Sequence, residues 1–264
     1  MHGPLFVHFL HSSLHYVKKG NGSKALLIFH GFGQDHHAFD HLPASLQHTH
    51  TLYIFDLYFH GASHWQLEEN PLKKDIWKEI VSQFLIDNCI KNFSVLGFSM
   101  GGKFALACVE LFPKHIEAVI LLAPDGIKTS AWYSLATYPT VLRRLFKSMI
   151  IHHQRFLMVA RAALRLRLID KGVFRFVESQ MNTEEKRKQV YYSWVVFRHL
   201  KFDLDHIAGI LNAKPTLLTL IIGKYDRIIT TENMRPFINQ LKEVRFEVVE
   251  AGHTDLIREA CKLL

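Results

Sequence analysis

Short apolar runs and longer amphipathic segments alternate along most of the chain. Residues 24–29 have the pattern of a buried strand, and residues 215–222 form a continuous apolar run suited to a strand that is buried on both faces of a sheet. Further strands are predicted at residues 5–10, 14–17, 93–96, 116–122 and 244–249. Helix-like segments separate most of these strands, and parallel neighbours need such long connections. The pattern therefore predicts an α/β fold with a mostly parallel sheet flanked by helices.

Local chemistry predicts where one of these helices begins. Asn70 and Pro71 match the N-cap and the first helical position of a helix that runs to about residue 89. Proline is tolerated at that position because the amide that it lacks would have no partner within the helix.

A serine flanked by glycines lies between a predicted strand and a predicted helix. Residues 97–101 read Gly-Phe-Ser-Met-Gly, after the run at 93–96 and before the helix-like run at 103–109. A serine at such a sharp turn is forced into strained backbone geometry, and the neighbouring glycines avoid clashes. The amides at the start of the helix point towards the hydroxyl, where they would stabilise negative charge on a substrate oxygen. Ser99 is therefore the candidate nucleophile.

A serine nucleophile needs a base, and the base needs a carboxylate that holds its ring in place. His253 follows the predicted strand at 244–249, and Asp226 follows the apolar run at 215–222. These two residues are the candidate base and acid. Other carboxylates follow a strand or lie near a segment boundary and are rivals of Asp226: Asp125, Asp203 and Asp205.

A glycine-containing turn follows the first buried strand. Residues 30–33 read His-Gly-Phe-Gly, directly after the run at 24–29. Such a turn can bring a backbone amide close to the nucleophile. Phe32 N–H is therefore predicted to form one half of an oxyanion hole, and Met100 N–H the other half.

Together these motifs resemble the α/β-hydrolase superfamily, in particular its cap-bearing esterase and carbon–carbon hydrolase-like branch. The resemblance runs from about residue 5 to residue 264 and includes the segment at 55–63. The family usually shows Asp-x-x-Gly-x-Gly-x-Ser in that segment, whereas this chain carries Phe59 in place of the first glycine. The departure alters a loop and leaves the catalytic assignment intact.

The resemblance implies an α/β-hydrolase fold with a helical cap, and a serine hydrolase that acts through Ser99, His253 and Asp226. The expected substrate is a hydrophobic small molecule with an ester-like bond, cleaved through an acyl-enzyme without a cofactor or a metal. The same residues would suit a carbon–carbon hydrolase, a thioesterase or a cofactor-free perhydrolase. A binding protein that keeps the fold without turnover is a further alternative.

The resemblance places the cap at residues 126–212, between two core segments at 1–125 and 213–264. Strand-like runs disappear from this middle segment, and long helical stretches take over. Residues 127–212 carry 15 Lys and Arg against 6 Asp and Glu, so the whole net charge of +8 resides there. A chain of 264 residues, 48% hydrophobic, is long enough to bury one sizeable core.

The basic cap has three interpretations. It is a solvated helical surface, or it rests on an anionic membrane surface, or it attracts an anionic substrate. The last two rest on arginines interleaved with apolar residues: Arg155, Arg161, Arg165 and Arg167. Nucleic-acid binding is not expected, because no recognition motif accompanies the charge.

Aromatic residues of the cap would line an apolar pocket if they faced the sheet. Packing inside the cap is the alternative for each of them. They are Trp132, Tyr133, Tyr138, Phe146, Tyr191, Tyr192, Trp194 and Phe197.

The cysteine and histidine patterns do not predict a metal centre. The three cysteines lack metal-like spacing, and adjacent histidines such as His36 and His37 diverge on a helix or a strand. The N-terminal run does not have the pattern of a signal peptide, and no apolar run reaches the length of a membrane span. We therefore expect a cytoplasmic protein, and the sequence leaves its oligomeric state open.

Overall fold

The computed structural model describes residues 4–128, 137–169, 181–213 and 216–264, together with residues 134, 172, 174 and 178. The chain divides into two compact units. The first comprises Met1–Leu67, Leu72–Thr129 and Leu200–Leu264, and the second comprises Glu68–Pro71 and Ser130–His199. The helical cap that the resemblance implies at residues 126–212 stays a prediction.

Strands of the first unit form one sheet. Among the described residues it has eight strands: β1 (Leu5–Phe9), β2 (Ser12–Lys19), β3 (Lys24–Phe29), β4 (His50–Phe55), β5 (Phe93–Phe98), β6 (Ile116–Leu122), β7 (Leu217–Gly223) and β8 (Arg245–Val249). Their order in the sheet is β1-β2-β4-β3-β5-β6-β7-β8. β2 pairs antiparallel with β1 and with β4, and the remaining pairs are parallel. This is the mostly parallel sheet of the α/β-hydrolase fold, as the sequence predicted.

Helices alternate with the strands after β3. Those of the first unit are α1 (Ala44–Thr49), α2 (Lys74–Asp87), α3 (Gly101–Leu111), α7 (Leu204–Ala213), α8 (Thr231–Ile238) and α9 (Leu256–Ala260). Those of the second unit are α4 (Thr140–Ile151), α5 (His153–Arg165) and α6 (Glu184–Val196). Short 3₁₀ helices occur at His36–Phe39 and Phe197–His199.

The core of the first unit lies where α2 and α3 pack against the middle of the sheet. Every residue of β5 is buried, as is nearly all of β3. Trp77 of α2 and Phe104 of α3 are fully buried, with their ring centroids 5.0 Å apart. Phe29 of β3 packs against both rings. Burial of these large side chains stabilises the strand ends that carry the site described below.

The predicted helix start at Pro71 is wrong, because α2 begins at Lys74. Lys73 is extended, with φ −83° and ψ 162°, and makes no side-chain capping hydrogen bond. Glu68–Pro71 groups by contacts with the second unit. Tertiary contacts thus hold this stretch outside the helix and outweigh its local preference.

Aromatic side chains of the second unit pack against each other. Phe146 of α4 lies 5.3 Å from Tyr191 and 5.6 Å from Trp194 of α6, between ring centroids. Phe146 and Tyr191 are buried. Packing inside the unit therefore accounts for both rings. Trp132 and Tyr133 lie outside the described residues.

None of the helices in the described ranges combines the length and the apolar character needed to cross a membrane.

Candidate active site

Ser99 lies at the turn between β5 and α3, in the strained conformation that the sequence predicts. Its φ is +49°, in the left-handed region that residues with a side chain rarely adopt. Its N–H donates to Leu122 O of β6 at 2.9 Å, and its C=O accepts from Gly102 N–H at 2.8 Å. A Cβ atom at Gly101 would lie 2.1 Å from Phe29 O, so the close approach of α3 to β3 requires glycine there.

Three side chains from separate strand ends form one series of hydrogen bonds. His253 Nδ1 lies 2.5 Å from Asp226 Oδ2, and His253 Nε2 lies 2.9 Å from Ser99 Oγ. Because a carboxylate carries no proton, the ring proton lies on Nδ1, and Nε2 accepts from the serine hydroxyl. The Asp226 side chain is fully buried, whereas that of His253 is 17% exposed. The ring nitrogen that faces Ser99 is thus oriented by the buried carboxylate.

Asp226 is held by the turn that follows β7. Its Oδ1 accepts from the amides of Ile228 at 2.8 Å and Ile229 at 2.9 Å, which leaves Oδ2 for His253. A backbone hydrogen bond from Tyr225 N to Ala251 O, 3.0 Å long, ties this turn to the one that follows β8. Since β7 and β8 are parallel neighbours, the carboxyl ends of both lie at the same edge of the sheet.

Two of the three rival carboxylates, Asp125 and Asp203, have other partners. Asp125 Oδ2 forms an ion pair with Lys103 Nζ at 2.9 Å, and Asp125 Oδ1 accepts from Gly126 N–H at 2.7 Å. Asp203 Oδ1 accepts from Asp205 N–H at 3.0 Å at the start of α7. The structure therefore brings Asp226, and not these three residues, to the imidazole of His253.

The two predicted oxyanion donors lie in turns at the carboxyl ends of β3 and β5. Met100 directly follows Ser99 and precedes α3. Phe32 lies in a turn closed by hydrogen bonds from Gln34 N to Gly31 O at 3.3 Å and from Gly31 N to Gln34 Oε1 at 3.0 Å. In the part of the chain that the structure describes, neither amide donates to a protein acceptor. Both N–H groups are therefore available to a substrate oxygen.

A buried histidine, His60, holds the Phe32 turn from outside. Its Nε2 accepts from Gly33 N–H at 3.0 Å, while its Nδ1 donates to Tyr58 O at 3.0 Å. The Phe32 ring packs edge-on against the His60 ring at 5.4 Å between centroids. The amide next to Phe32 is thus tied to the loop that follows β4.

A second buried histidine, His30, joins the same two loops. Its Nδ1 donates to Gly31 O at 2.7 Å, and its Nε2 accepts from Leu57 N–H at 2.9 Å. Burial lowers the pKa of His30 to about 3 and the pKa of His60 to about 4. Both rings are therefore neutral at pH 7, and each offers one donor and one acceptor. The sequence pattern assigns neither histidine a role. Each directly precedes a glycine, His30 at the end of β3 and His60 in the 55–63 segment.

Phe59, at the position where the resemblance implies a glycine, has a backbone conformation that glycine adopts more readily than other residues. Its φ is +69°, in the left-handed region. The loop around it is closed by two hydrogen bonds to Asp56. Ala62 N–H donates to Asp56 Oδ2 at 3.0 Å, and Ser63 Oγ donates to Asp56 O at 2.5 Å.

Two clusters of described residues place three metal-ligating side chains within 4.8 Å: His15–His36–Asp56 and Asp35–His36–His37. In the first, His15 Nδ1 donates to Asp56 Oδ2 at 2.8 Å and His36 Nδ1 donates to Asp56 Oδ1 at 2.9 Å. Burial by itself would raise the pKa of Asp56. Hydrogen bonds from the two histidine rings and from the amides of Ala62 and His36 outweigh burial, so the pKa of Asp56 is lowered. These hydrogen bonds join both histidines to the Asp56 carboxylate.

We expect His60→Gln to reduce the dependence of stability on pH. The pKa of the ring is lowered from 6.5 to about 4 on folding, chiefly by burial. The stability that the neutral ring contributes is complete above pH 6.5 and is lost as the pH falls through the folded pKa. Between pH 7 and pH 4.5 the wild type should lose about 2 kcal/mol more unfolding free energy than the variant, measured by urea denaturation.

Turnover of an ester-like substrate, the activity that the resemblance implies, would give a second readout of His60. The side-chain oxygen of the glutamine in His60→Gln can still accept from Gly33 N–H, which the alanine in His60→Ala cannot. We therefore expect kcat to fall less in His60→Gln than in His60→Ala. An identical loss of stability with falling pH in wild type and His60→Gln would contradict this assignment.

Comparisons with known proteins assign the chain to a family. The profile of a family described as alpha/beta hydrolase fold matches residues 24–158. A Mycoplasma genitalium protein named "Putative esterase/lipase 2" is 24% identical over 253 residues, which cover 93% of this chain and 88% of that protein.

Solved structures are similar in fold. A thermophilic esterase from Thermogutta terrifontis superposes with a TM-score of 0.67 at 16% identity, covering 99% of this chain and 95% of that one. The thioesterase domain from the curacin biosynthetic pathway has a TM-score of 0.65 at 16% identity, with 98% and 96% covered. At such identities the likeness concerns the fold alone.

Proposed function

The chain belongs to the alpha/beta hydrolase family, and on that premise we propose that it is a serine hydrolase that cleaves an ester-like bond of a hydrophobic small molecule. The observation that carries this proposal is the series of hydrogen bonds from Asp226 through His253 to Ser99. Similarity to an esterase/lipase relative supports hydrolysis as the reaction.

In the first stage Ser99 attacks the carbonyl carbon of the substrate. His253 Nε2 takes the hydroxyl proton as the new C–O bond forms, and Asp226 stabilises the resulting imidazolium. The negative charge that develops on the carbonyl oxygen is bound by the amides of Phe32 and Met100. His253 then protonates the leaving alcohol, and an acyl-enzyme on Ser99 remains.

In the second stage water replaces the alcohol. His253 accepts a proton from the water as its oxygen attacks the acyl carbonyl, and the same two amides bind the oxyanion again. Collapse of this intermediate returns the proton to Ser99 Oγ and releases the acid. Every proton transfer therefore passes through one ring nitrogen, which is why the orientation of His253 is decisive.

Apolar side chains around the reacting groups favour a hydrophobic substrate. Phe98 packs beside the His253 ring at 5.1 Å between centroids. Phe32 is half-buried, and Met100 is 8% exposed. These groups would favour an acyl or alkoxy chain near the serine over a strongly hydrated one.

The proposal is tested by labelling and turnover on the purified wild-type chain. We expect a fluorophosphonate probe to label one serine and p-nitrophenyl esters from acetate to laurate to be hydrolysed. Loss of labelling after pre-incubation with the best ester would link the two readouts. A chain that is folded by circular dichroism, and that neither takes the label nor hydrolyses any ester, would overturn the proposal.

The same panel separates the alternatives that share these residues. It includes an acyl thioester, a β-diketone and an acid with hydrogen peroxide. A kcat/KM that is highest for an ester supports the proposal. A higher value for the thioester or the β-diketone would retain the serine mechanism and replace the substrate class.

A further inference from the structure

Helices α4 and α5 of the second unit each bury one arc and expose another. The buried arcs carry Phe146 and Ile150 on α4, and Phe156 and Ala160 on α5. The exposed arcs and the residues just after α5 carry large apolar side chains that are 44–75% exposed: Val141, Leu145, Ile151, Met158, Val159, Leu166 and Leu168. A hydrogen bond from Arg155 Nη1 to Ser148 Oγ joins the two exposed arcs. The apolar side chains therefore lie on neighbouring helices of one unit.

Arginines are interspersed with these apolar side chains. Five are exposed: Arg144, Arg155, Arg161, Arg165 and Arg167. Residues 137–169 contain seven Lys and Arg and no Asp or Glu. Lys147, at the edge of this surface, pairs with Glu69, but none of the five arginines forms an ion pair with a carboxylate of the described residues. We call these seven apolar residues and five arginines the basic-apolar face.

The composition of the basic-apolar face differs from that of an ordinary solvated helix surface. On α6, for comparison, the exposed Lys188 pairs with Glu184 four residues earlier, as is usual for helices in water. Single exposed apolar residues are common, but seven on one helix pair and the turn after it, in a stretch (residues 137–169) without Asp or Glu, form a patch of the kind that marks an interaction site. The apolar side chains would gain from leaving water, and the arginines would gain from a negative partner.

We propose that the basic-apolar face docks on the surface of an anionic lipid bilayer. Amphipathic helices with an apolar arc and flanking Lys or Arg lie in the headgroup region, where apolar side chains enter the acyl boundary. Arginine side chains are long enough to keep their charge among the phosphates while the helix lies at that depth. A bilayer surface is fluid and does not require a complementary protein shape. It can therefore accommodate a segment in which charged and apolar residues alternate, such as Arg165-Leu166-Arg167-Leu168.

The other occupants fit less well. A second copy of the same face would bring two sets of arginines together, none of which pairs with a described carboxylate, and the like charges would repel each other. A nucleic acid would neutralise the arginines, but it would leave Met158 and Leu166 without an apolar partner. An anionic bilayer offers phosphates to the arginines and acyl chains to the apolar side chains. The proposal goes beyond the proposed function and does not depend on turnover.

Liposome co-sedimentation of the full chain tests this proposal. We expect the protein to bind vesicles of phosphatidylcholine with phosphatidylglycerol, to bind phosphatidylcholine alone much less, and to bind less at high salt. Replacing Arg155, Arg161 and Arg165 with glutamine should weaken binding to the anionic vesicles about 100-fold. A separate double variant, Met158→Ser with Leu166→Ser, should also bind the anionic vesicles more weakly than wild type. This loss should occur at every salt concentration, because the contribution of these two side chains to binding is apolar.

A matched control removes the same charge elsewhere. Lys78, Lys91 and Lys114 are exposed in the first unit, and their replacement by glutamine should leave vesicle binding within about twofold of wild type. Ser99→Ala should bind vesicles as the wild type does, which separates docking from hydrolysis. Circular dichroism checks that each variant is folded.

Three results would overturn the proposal. They are absence of vesicle binding by the wild type, equal binding to neutral and anionic vesicles, and an equal loss in the arginine variant and the lysine control. Concentration-dependent dimerisation that is lost in Met158→Ser with Leu166→Ser, without vesicle binding, would assign the face to a second copy instead.

Discussion

Ser99→Ala is expected to lower kcat/KM for the best ester by about 10⁵-fold or more, and to abolish fluorophosphonate labelling. The hydroxyl is the group that His253 Nε2 faces at 2.9 Å, and alanine offers nothing that can form an acyl-enzyme. Residual turnover would come from the two oxyanion amides and from substrate binding, which the substitution leaves in place.

Ser45→Ala is the matched control for this prediction. Ser45 is exposed near the start of α1, and its backbone C=O, which accepts from Thr49 Oγ1 at 3.2 Å, is unchanged by the substitution. Both variants are compared with wild type in thermal unfolding and in single-turnover assays. A Ser99→Ala protein that is folded and retains more than about a tenth of wild-type kcat/KM would remove the basis of the serine mechanism.

Asp226→Asn is expected to lower kcat by about 10⁴-fold with little change in KM. The asparagine amide can donate a hydrogen bond to Nδ1 of His253, which favours the tautomer that carries its proton on Nε2. That tautomer cannot accept from the Ser99 hydroxyl. The amides of Ile228 and Ile229 still have an oxygen to bind, so the turn after β7 should keep its conformation.

Asp125→Asn provides the comparison, because Asp125 also follows a strand and was the main rival from sequence. Its partners are Lys103 and Gly126, so we expect kcat to change by less than about tenfold. Pre-steady-state kinetics of both variants on one ester would measure the acylation step directly. A larger loss of kcat in Asp125→Asn than in Asp226→Asn would reverse the assignment of the acid.

Short sequence patterns were sufficient to predict those strands and turns that depend on interactions between residues close in the chain. The mainly apolar runs at 24–29 and 116–122 predicted β3 and β6 to the residue, because apolar positions dominate both strands. The turn at Ser99 was predictable because a left-handed residue between a strand and a helix needs glycine neighbours. The start of α2 was not predictable in the same way. Lys73 makes no side-chain capping hydrogen bond, and the residues Glu68–Pro71 before it belong to the second unit and do not extend the helix.

Histidines illustrate what a count cannot show. The chain has 18 of them, and pattern alone could single out only His253 by its place after a strand. The roles of His30 and His60 depend on burial and on acceptors and donors far away in the chain, Leu57 and Gly33. These hydrogen bonds form only when the loops that follow β3 and β4 have come together in the folded protein.

The amino-acid sequence by itself determined most of the strands, the turn that exposes Ser99 and the excess of positive charge between residues 127 and 212. These features follow from periodicity, backbone sterics and composition, which act over a few residues. Tertiary structure alone decided which carboxylate meets His253 and which arcs of α4 and α5 stay exposed. Parallel pairing of β7 with β8 brings Asp226 and His253 together across 27 residues, and an amphipathic helix shows which arc it buries only against a partner.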